Sequence, residues 1–440
     1  MTFATSTTPL FLQNGLWAAS LLLLLSFGLP FILPGFRWLV DYSGPFKQFR
    51  SLGRFVWPFY YVFTTYTAYY IYQLYSRQKQ RQPLLATAWL AALLLVWAGE
   101  AWININTKAE SVAQGSGAFT FLDPSTSITQ GLSWAHRQPS DFQAILPLPY
   151  FNMGSDKIDL SGSPTSIFQA DKISYATGLP QLSSYVSRAS VGQVLEHTQL
   201  FSSPLIPKAL LKKFPSQKPI LLVVTATDLP PAQRRLLNVA TPLVNVKEGM
   251  LFELPLEVLG ATTYEQEYQK ALKLWPTLRT RPDGLRTTTG RAVLYQPFAN
   301  GTSQQGRLAA GAFWEPLDKF SVLYDGPFPS PTDTGRYEIS VWVNGKMEYG
   351  LGNMQVKQFG AANEVLDHQV ADGRVCTEID GDWLRMAIPV QRQPGTQRLE
   401  VLYQSRDLLA DDLLIRPMDT DVYWRDPSGK LIMNGYRLQR

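Results

Sequence analysis

Residues 84–104, LLATAWLAALLLVWAGEAWIN, constrain this chain more than any other stretch. About twenty mostly apolar residues, each rising roughly 1.5 Å, cross a hydrocarbon core of about 30 Å as a helix. The run therefore predicts a membrane span. Nothing comparable follows it in the 440 residues, so it is the hinge between a membrane part and a water-exposed part. Mean hydropathy near zero agrees that the apolar excess is local.

Two further apolar stretches precede it, and together they predict three transmembrane helices at 16–33, 55–75 and 84–104. The first could be a signal peptide, but residues 1–15 hold no Lys or Arg and no small-residue cleavage site follows, so a retained helix is expected. The second is dense in Tyr and Thr along its middle as well as at its ends, as for a helix with one face against protein or water. Between the second and third, SRQKQRQ carries Arg77, Lys79 and Arg81 without an acid, and the positive-inside rule puts it in the cytoplasm. Residues 36–55 and everything beyond 104 then face outward, giving an integral inner-membrane protein with its C-terminal domains on the periplasmic side. The 36–55 loop argues the other way with Arg37, Lys47, Arg50 and Arg54 against Asp41, but the 76–82 loop is basic throughout.

Composition narrows the chemistry by exclusion. Lys+Arg total 40 against Asp+Glu 35, a net charge of +5 with no long basic run, which excludes clustered phosphate neutralisation and hence nucleic acid. One cysteine, Cys376, and three scattered histidines leave no disulfide framework and no zinc set. No cofactor is expected, and a divalent cation has no support in the sequence. P-loop, GxSxG, HExxH and GxGxxG patterns are missing. No catalytic residue can be named, and whether the chain is an enzyme stays open.

Past the spans, residues 107–262 alternate strand and helix signals. Apolar runs at 141–150 and 219–227 read as buried strands, 191–200 and 230–239 as helices, and 244–254 as two strands about a turn. This predicts a compact α/β domain. Residues 263–275 form a helix, and 276–284 a Pro/Gly linker. From 285 to 440 the runs are nearly all strands, with period-two alternation in YEISVWV and RLEVLY and turn signals such as Asn344-Gly345 between them. That spacing predicts an antiparallel β-sandwich or jelly roll.

Four groups of residues are candidate sites. Lys47, Arg50 and Arg54 stand before a span, where cations hold either a lipid phosphate or ordinary anionic headgroups. Glu100 is ionisable inside an apolar run, one turn from its outer end, where it serves a site or reaches water. Tyr150, Asn152, Asp156 and Arg188 gather after a buried strand, where α/β domains place ligands and also structural turns. In the sandwich, Trp342, Trp383, Trp424 and Tyr436, with Trp314, offer rings that stack on a sugar or fill a core.

FRSLGRFVWPFYY, followed by DFQAILPLPYFNMGSDK and GLPQLSSYVSR, resembles the C-terminal part of polytopic GT-C-like membrane glycosyltransferases of Bacteroidetes-type bacteria. The resemblance implies a polyprenyl-phosphate-linked sugar donor, a glycan acceptor, Arg50 and Arg54 near the lipid phosphate, and a further N-terminal membrane part. Such enzymes carry their catalytic carboxylate in an early outer loop, which has no counterpart here. The segment LEVLYQSRDLLADDLLIRPMDTDVYW is similar to the closing strands of galactose-binding-like sandwiches. Two functions follow: the C-terminal portion of a membrane glycosyltransferase, or a non-catalytic membrane-anchored envelope protein whose sandwich binds a glycan or a protein partner.

Overall fold

The computed structural model describes residues 9–33, 35–36, 38–42, 52–115, 127–155, 157–186, 188–330, 332–347 and 351–438. The chain divides into two compact units, Met1–Thr120 and Phe121–Arg440.

The first unit holds the helices Leu10–Ser26, Val56–Arg81 and Pro83–Gly115. Among the described residues one helix, over Pro83–Glu110, is long and apolar enough to cross a membrane, not the three expected. Leu10–Ser26 is apolar but 17 residues long, because the chain turns at Phe27 and Gly28, where Gly28 takes φ 80°. Val56–Arg81 has the length, 26 residues, but its Tyr, Thr and Gln content lowers its apolar character. Within that helix Thr64 and Thr65 donate their hydroxyls to carbonyls one turn back, and Gln73 donates to the Tyr69 hydroxyl. Pro83–Gly115 begins on a proline, which the first helical position tolerates. Its large side chains stay uncovered: Leu84, Leu95, Val96 and Trp97 are all at least 69% exposed. Such a surface is a liability in water and ordinary in lipid.

The second unit begins with an α/β layer. Its sheet runs Ala144–Leu148, Ile220–Val224, Gly249–Leu254, Thr241–Val246, the first pair parallel and the others antiparallel. Both parallel strands are buried throughout, which is why they read as unbroken apolar runs. Helices Pro164–Thr177, Val191–Thr198 and Pro231–Val239 accompany them. Ser163 and Ser190 cap the first two by accepting the amides of Ser166 and Gln193, and Gly178 closes the first at φ 72°.

A β-sandwich follows. Its larger sheet orders Phe313–Glu315, Leu408–Pro417, Arg336–Asn344, Trp383–Gln391 and Ile379–Asp380, with Leu294–Gln296 also on Leu408–Pro417. The facing sheet orders Lys319–Pro327, Arg398–Ser405, Asn353–Phe359 and Val365–Asp372. Alternate residues meet between them: Tyr337, Ile339, Val341 and Val343 against Val356, Leu399 and Val401. Period-two alternation predicts that the other side of Arg336–Asn344 faces water. It does not: Trp342 is 1% exposed, because the C-terminal segment lies over it.

That segment belongs to a third, small sheet in the order Tyr436–Arg437, Leu431–Met433, Val422–Arg425, Arg286–Thr287, Arg279–Thr280. Asn434 and Gly435, both at positive φ, make the two-residue turn between its first pair. The sheet and helix Tyr264–Leu274 share a core of Ala271, Leu278, Tyr423, Leu431, Met433 and Leu438. Residues 276–284 thus supply both a strand and a core side chain to the C-terminal region.

Candidate functional site

Where the small sheet meets the edge of the sandwich, the chain leaves a cavity of about 510 Å³. Its aromatic walls come from three elements: Trp275 just after helix Tyr264–Leu274, Tyr295 in the strand Leu294–Gln296, and Trp424 in the strand Val422–Arg425. Pro297, Asp283 and Arg425 complete the walls the chemistry needs.

Each wall is fixed from behind. Trp424 packs on Leu285, Val293, Leu414 and Ile432, and its ring centroid lies 4.5 Å from that of Tyr295. Tyr295 donates its hydroxyl to Asp412 Oδ1 at 2.6 Å. Burial first, then the charges of Asp412 and Asp411, push its phenol far above the ordinary value, so it remains an O–H donor. Trp275 has the guanidinium of Arg286 4.5 Å and that of Arg425 5.1 Å from its ring centroid. Asp283 sits in a tight turn where Gly284 takes φ 82°. One of its oxygens accepts the Leu285 amide at 3.2 Å, and the other pairs with Arg281 at 3.2 Å. The result is a preformed cleft with rigid rings and planar polar groups, of the kind that holds a small polar ligand with apolar faces.

Of the residues singled out in the sequence, Trp424 lines this cleft. Trp342 is core, with the Arg307 guanidinium 3.6 Å from its ring centroid and the Tyr436 ring edge-on at 5.8 Å. Tyr436 is half-buried, its hydroxyl 3.4 Å from Glu378 Oε2. Trp383 opens its strand beside Asp380, is half-buried, and does not line Trp424's cleft. Trp314 is 40% exposed and donates its indole N–H to Asp407.

Of the polar group after the buried strand, Tyr150 and Asn152 are enclosed, at 2% and 1% exposure. Asn152 Nδ2 donates to the Tyr150 hydroxyl at 3.1 Å, Ser184 donates to Asn152 Oδ1 at 2.7 Å, and the Tyr150 ring rests on Phe201. Arg188 is exposed; Asp156 lies outside the described residues. Lys47 and Arg50 also lie outside them, and Arg54 is exposed in the turn Leu52–Phe55. Glu100 is exposed on Pro83–Gly115, in a shallow groove with Gly99, Asn104 and Lys108. Among the described residues no group of three or more His, Cys, Asp and Glu side chains could hold a metal ion.

Trp275, Asp283, Tyr295 and Arg425 escaped the sequence. The Asp283-Gly284 turn signal was present, but it fell in what read as a linker, and positions 275, 295 and 424 come from a helix end and strands of two different sheets that meet only in the folded chain.

No family model matches the chain, and no curated protein matches it, so the glycosyltransferase resemblance gains no support beyond its motifs. Among solved structures the chain is similar to a family 16 carbohydrate-binding module, at 17% identity over 29% of this chain and 86% of that one, TM-score 0.19. A xylan-binding domain from Paenibacillus barcinonensis is similar at 14% identity over 32% and 88%, TM-score 0.19. The enzymatically active domain of bacteriophage CBA120 tailspike protein 4 is similar at 9% identity over 30% of this chain and 18% of that one, TM-score 0.19. The match therefore spans less than a fifth of the tailspike chain.

Proposed function

We propose that this is a membrane-anchored, non-catalytic envelope protein whose second unit binds carbohydrate in the Trp275–Tyr295–Trp424 cleft. One observation carries this: three aromatic side chains, an exposed carboxylate and an exposed guanidinium wall a single cavity of about 510 Å³. A sugar ring presents apolar C–H faces and a rim of hydroxyls. Rigid rings match the faces, while Asp283 accepts and Arg425 donates at the rim. The volume falls in the range of roughly 300–1,000 Å³ common for small-ligand sites. A glycan array probed with the detergent-purified full chain tests the proposal: selective retention of one sugar class supports it, and retention of none contradicts it.

Anchoring rests on Pro83–Glu110, and orientation on Arg77, Lys79 and Arg81 ahead of it. A reporter fused after residue 440 is expected to be active only on the periplasmic side; activity in the cytoplasm from an inserted fusion contradicts that orientation.

A further inference from the structure

We propose, resting on the carbohydrate reading of the cleft, that its ligand is an acidic glycan whose sugars carry carboxylates, held by Arg286 and Arg425. A guanidinium has five N–H donors in a planar fork. Arg286 spends one on the Trp275 carbonyl at 2.8 Å, and Arg425 spends one on the Gly429 carbonyl at 2.8 Å. Both guanidiniums lie over the Trp275 ring, and among the described residues their other N–H groups make no further hydrogen bond.

The carboxylates that could neutralise them are committed elsewhere. Asp283 is paired with Arg281 at 3.2 Å. Asp426, next to Arg425 in the chain, has Oδ1 taken by the amides of Ser428 and Lys430, with Arg437 at 3.9 Å from Oδ2. Among the described residues neither Arg286 nor Arg425 forms an ion pair; Arg425 lines the cleft, Arg286 lies over the Trp275 ring that walls it, and the one carboxylate in the lining, Asp283, is already paired with Arg281. A neutral sugar leaves the charge of Arg286 and Arg425 uncompensated. A hexuronate carboxylate meets the fork in the bidentate geometry that guanidinium and carboxylate share.

The probe pair is tetragalacturonate and the same tetramer with its carboxylates reduced to alcohols, titrated calorimetrically into the full chain in detergent. The acidic tetramer is expected to bind at least about tenfold more tightly, ~1.4 kcal/mol, an advantage that shrinks in high salt. Arg286→Gln with Arg425→Gln should equalise the two probes, and Arg425→Gln alone, at an exposed position, should remove part of the preference. Equal affinities in the unaltered chain, or a preference that survives the double change, would overturn the assignment and leave a charge-indifferent carbohydrate site. Binding of neither probe also overturns it, and the carbohydrate reading falls with it only if the glycan array is blank too.

Discussion

Tyr295 and Asp412 are joined by a 2.6 Å hydrogen bond from the phenol to a carboxylate that is 3% exposed. The same tyrosine walls the cleft, so the site is tied to a buried charge cluster behind it. There Arg307 reaches Asp412 at 3.1 Å and Asp380 at 3.4 Å, while its amide donates to Asp411. Burial, reinforced by the charge of Asp412, pushes Asp411 up to about 7.

Tyr295→Phe keeps the ring in the wall and removes the donor. Loss of a bond to a buried charged group is expected to cost about 1–3 kcal/mol of stability. Denaturant unfolding of the Tyr295→Phe chain should show that drop with an unchanged slope, and an unchanged midpoint would mean that Asp412 is satisfied without it.

Glu338 sits on the covered side of the larger sheet with Arg385 at 2.6 Å and Arg416 at 3.1 Å. Burial raises its pKa, but the two guanidiniums outweigh burial and hold the carboxyl at about 2, below an ordinary value of 4.5. A depressed acid contributes stability that is present above the unfolded value and is lost as pH falls from about 4.5 toward about 2. Glu338→Gln should flatten that acid limb. It should also lower stability at neutral pH by about 3–5 kcal/mol, because Arg385 is left buried without its partner. An acid limb identical in the two proteins would contradict this.

How much of this was legible in the sequence depends on what fixes each element. The buried pair 144–148 and 220–224, the helix 264–274 and the strands 336–344 and 398–405 could be read because local pattern decides them. The small sheet could not, since its strands are two to four residues long and its pairing of 286–287 with 422–423 spans more than a hundred residues. Trp342 was left open between sugar stacking and core for a related reason: alternation gives the two sides of a strand, but not what later chain covers the second. Asn434-Gly435 carried a strong hairpin signal at the very turn that lies over it. The spans at 16–33 and 55–75 were overcounted because length and aromatic content were weighed above the turn at Gly28 and the tyrosine hydroxyls.

Residues 285–440 alone omit Ala271, Trp275 and Leu278, which pack around Tyr423, Leu431 and Met433. A fragment of residues 121–440 is expected to melt in one transition, and 285–440 at a lower temperature with exposed apolar surface. Equal melting temperatures would show that the small sheet closes its core without the helix.

The central claim is that the Trp275–Tyr295–Trp424 cleft binds carbohydrate, and Trp275 offers the cleanest handle because it is half-buried at the rim whereas Trp424 is core. The measurement is the dissociation constant of the best array oligosaccharide for the full chain and for Trp275→Ala, with melting temperatures recorded on both. Binding weakened by about tenfold or more, ~1.4 kcal/mol, in a variant that still melts cooperatively is the predicted result. An unchanged constant in a folded Trp275→Ala chain would contradict the site.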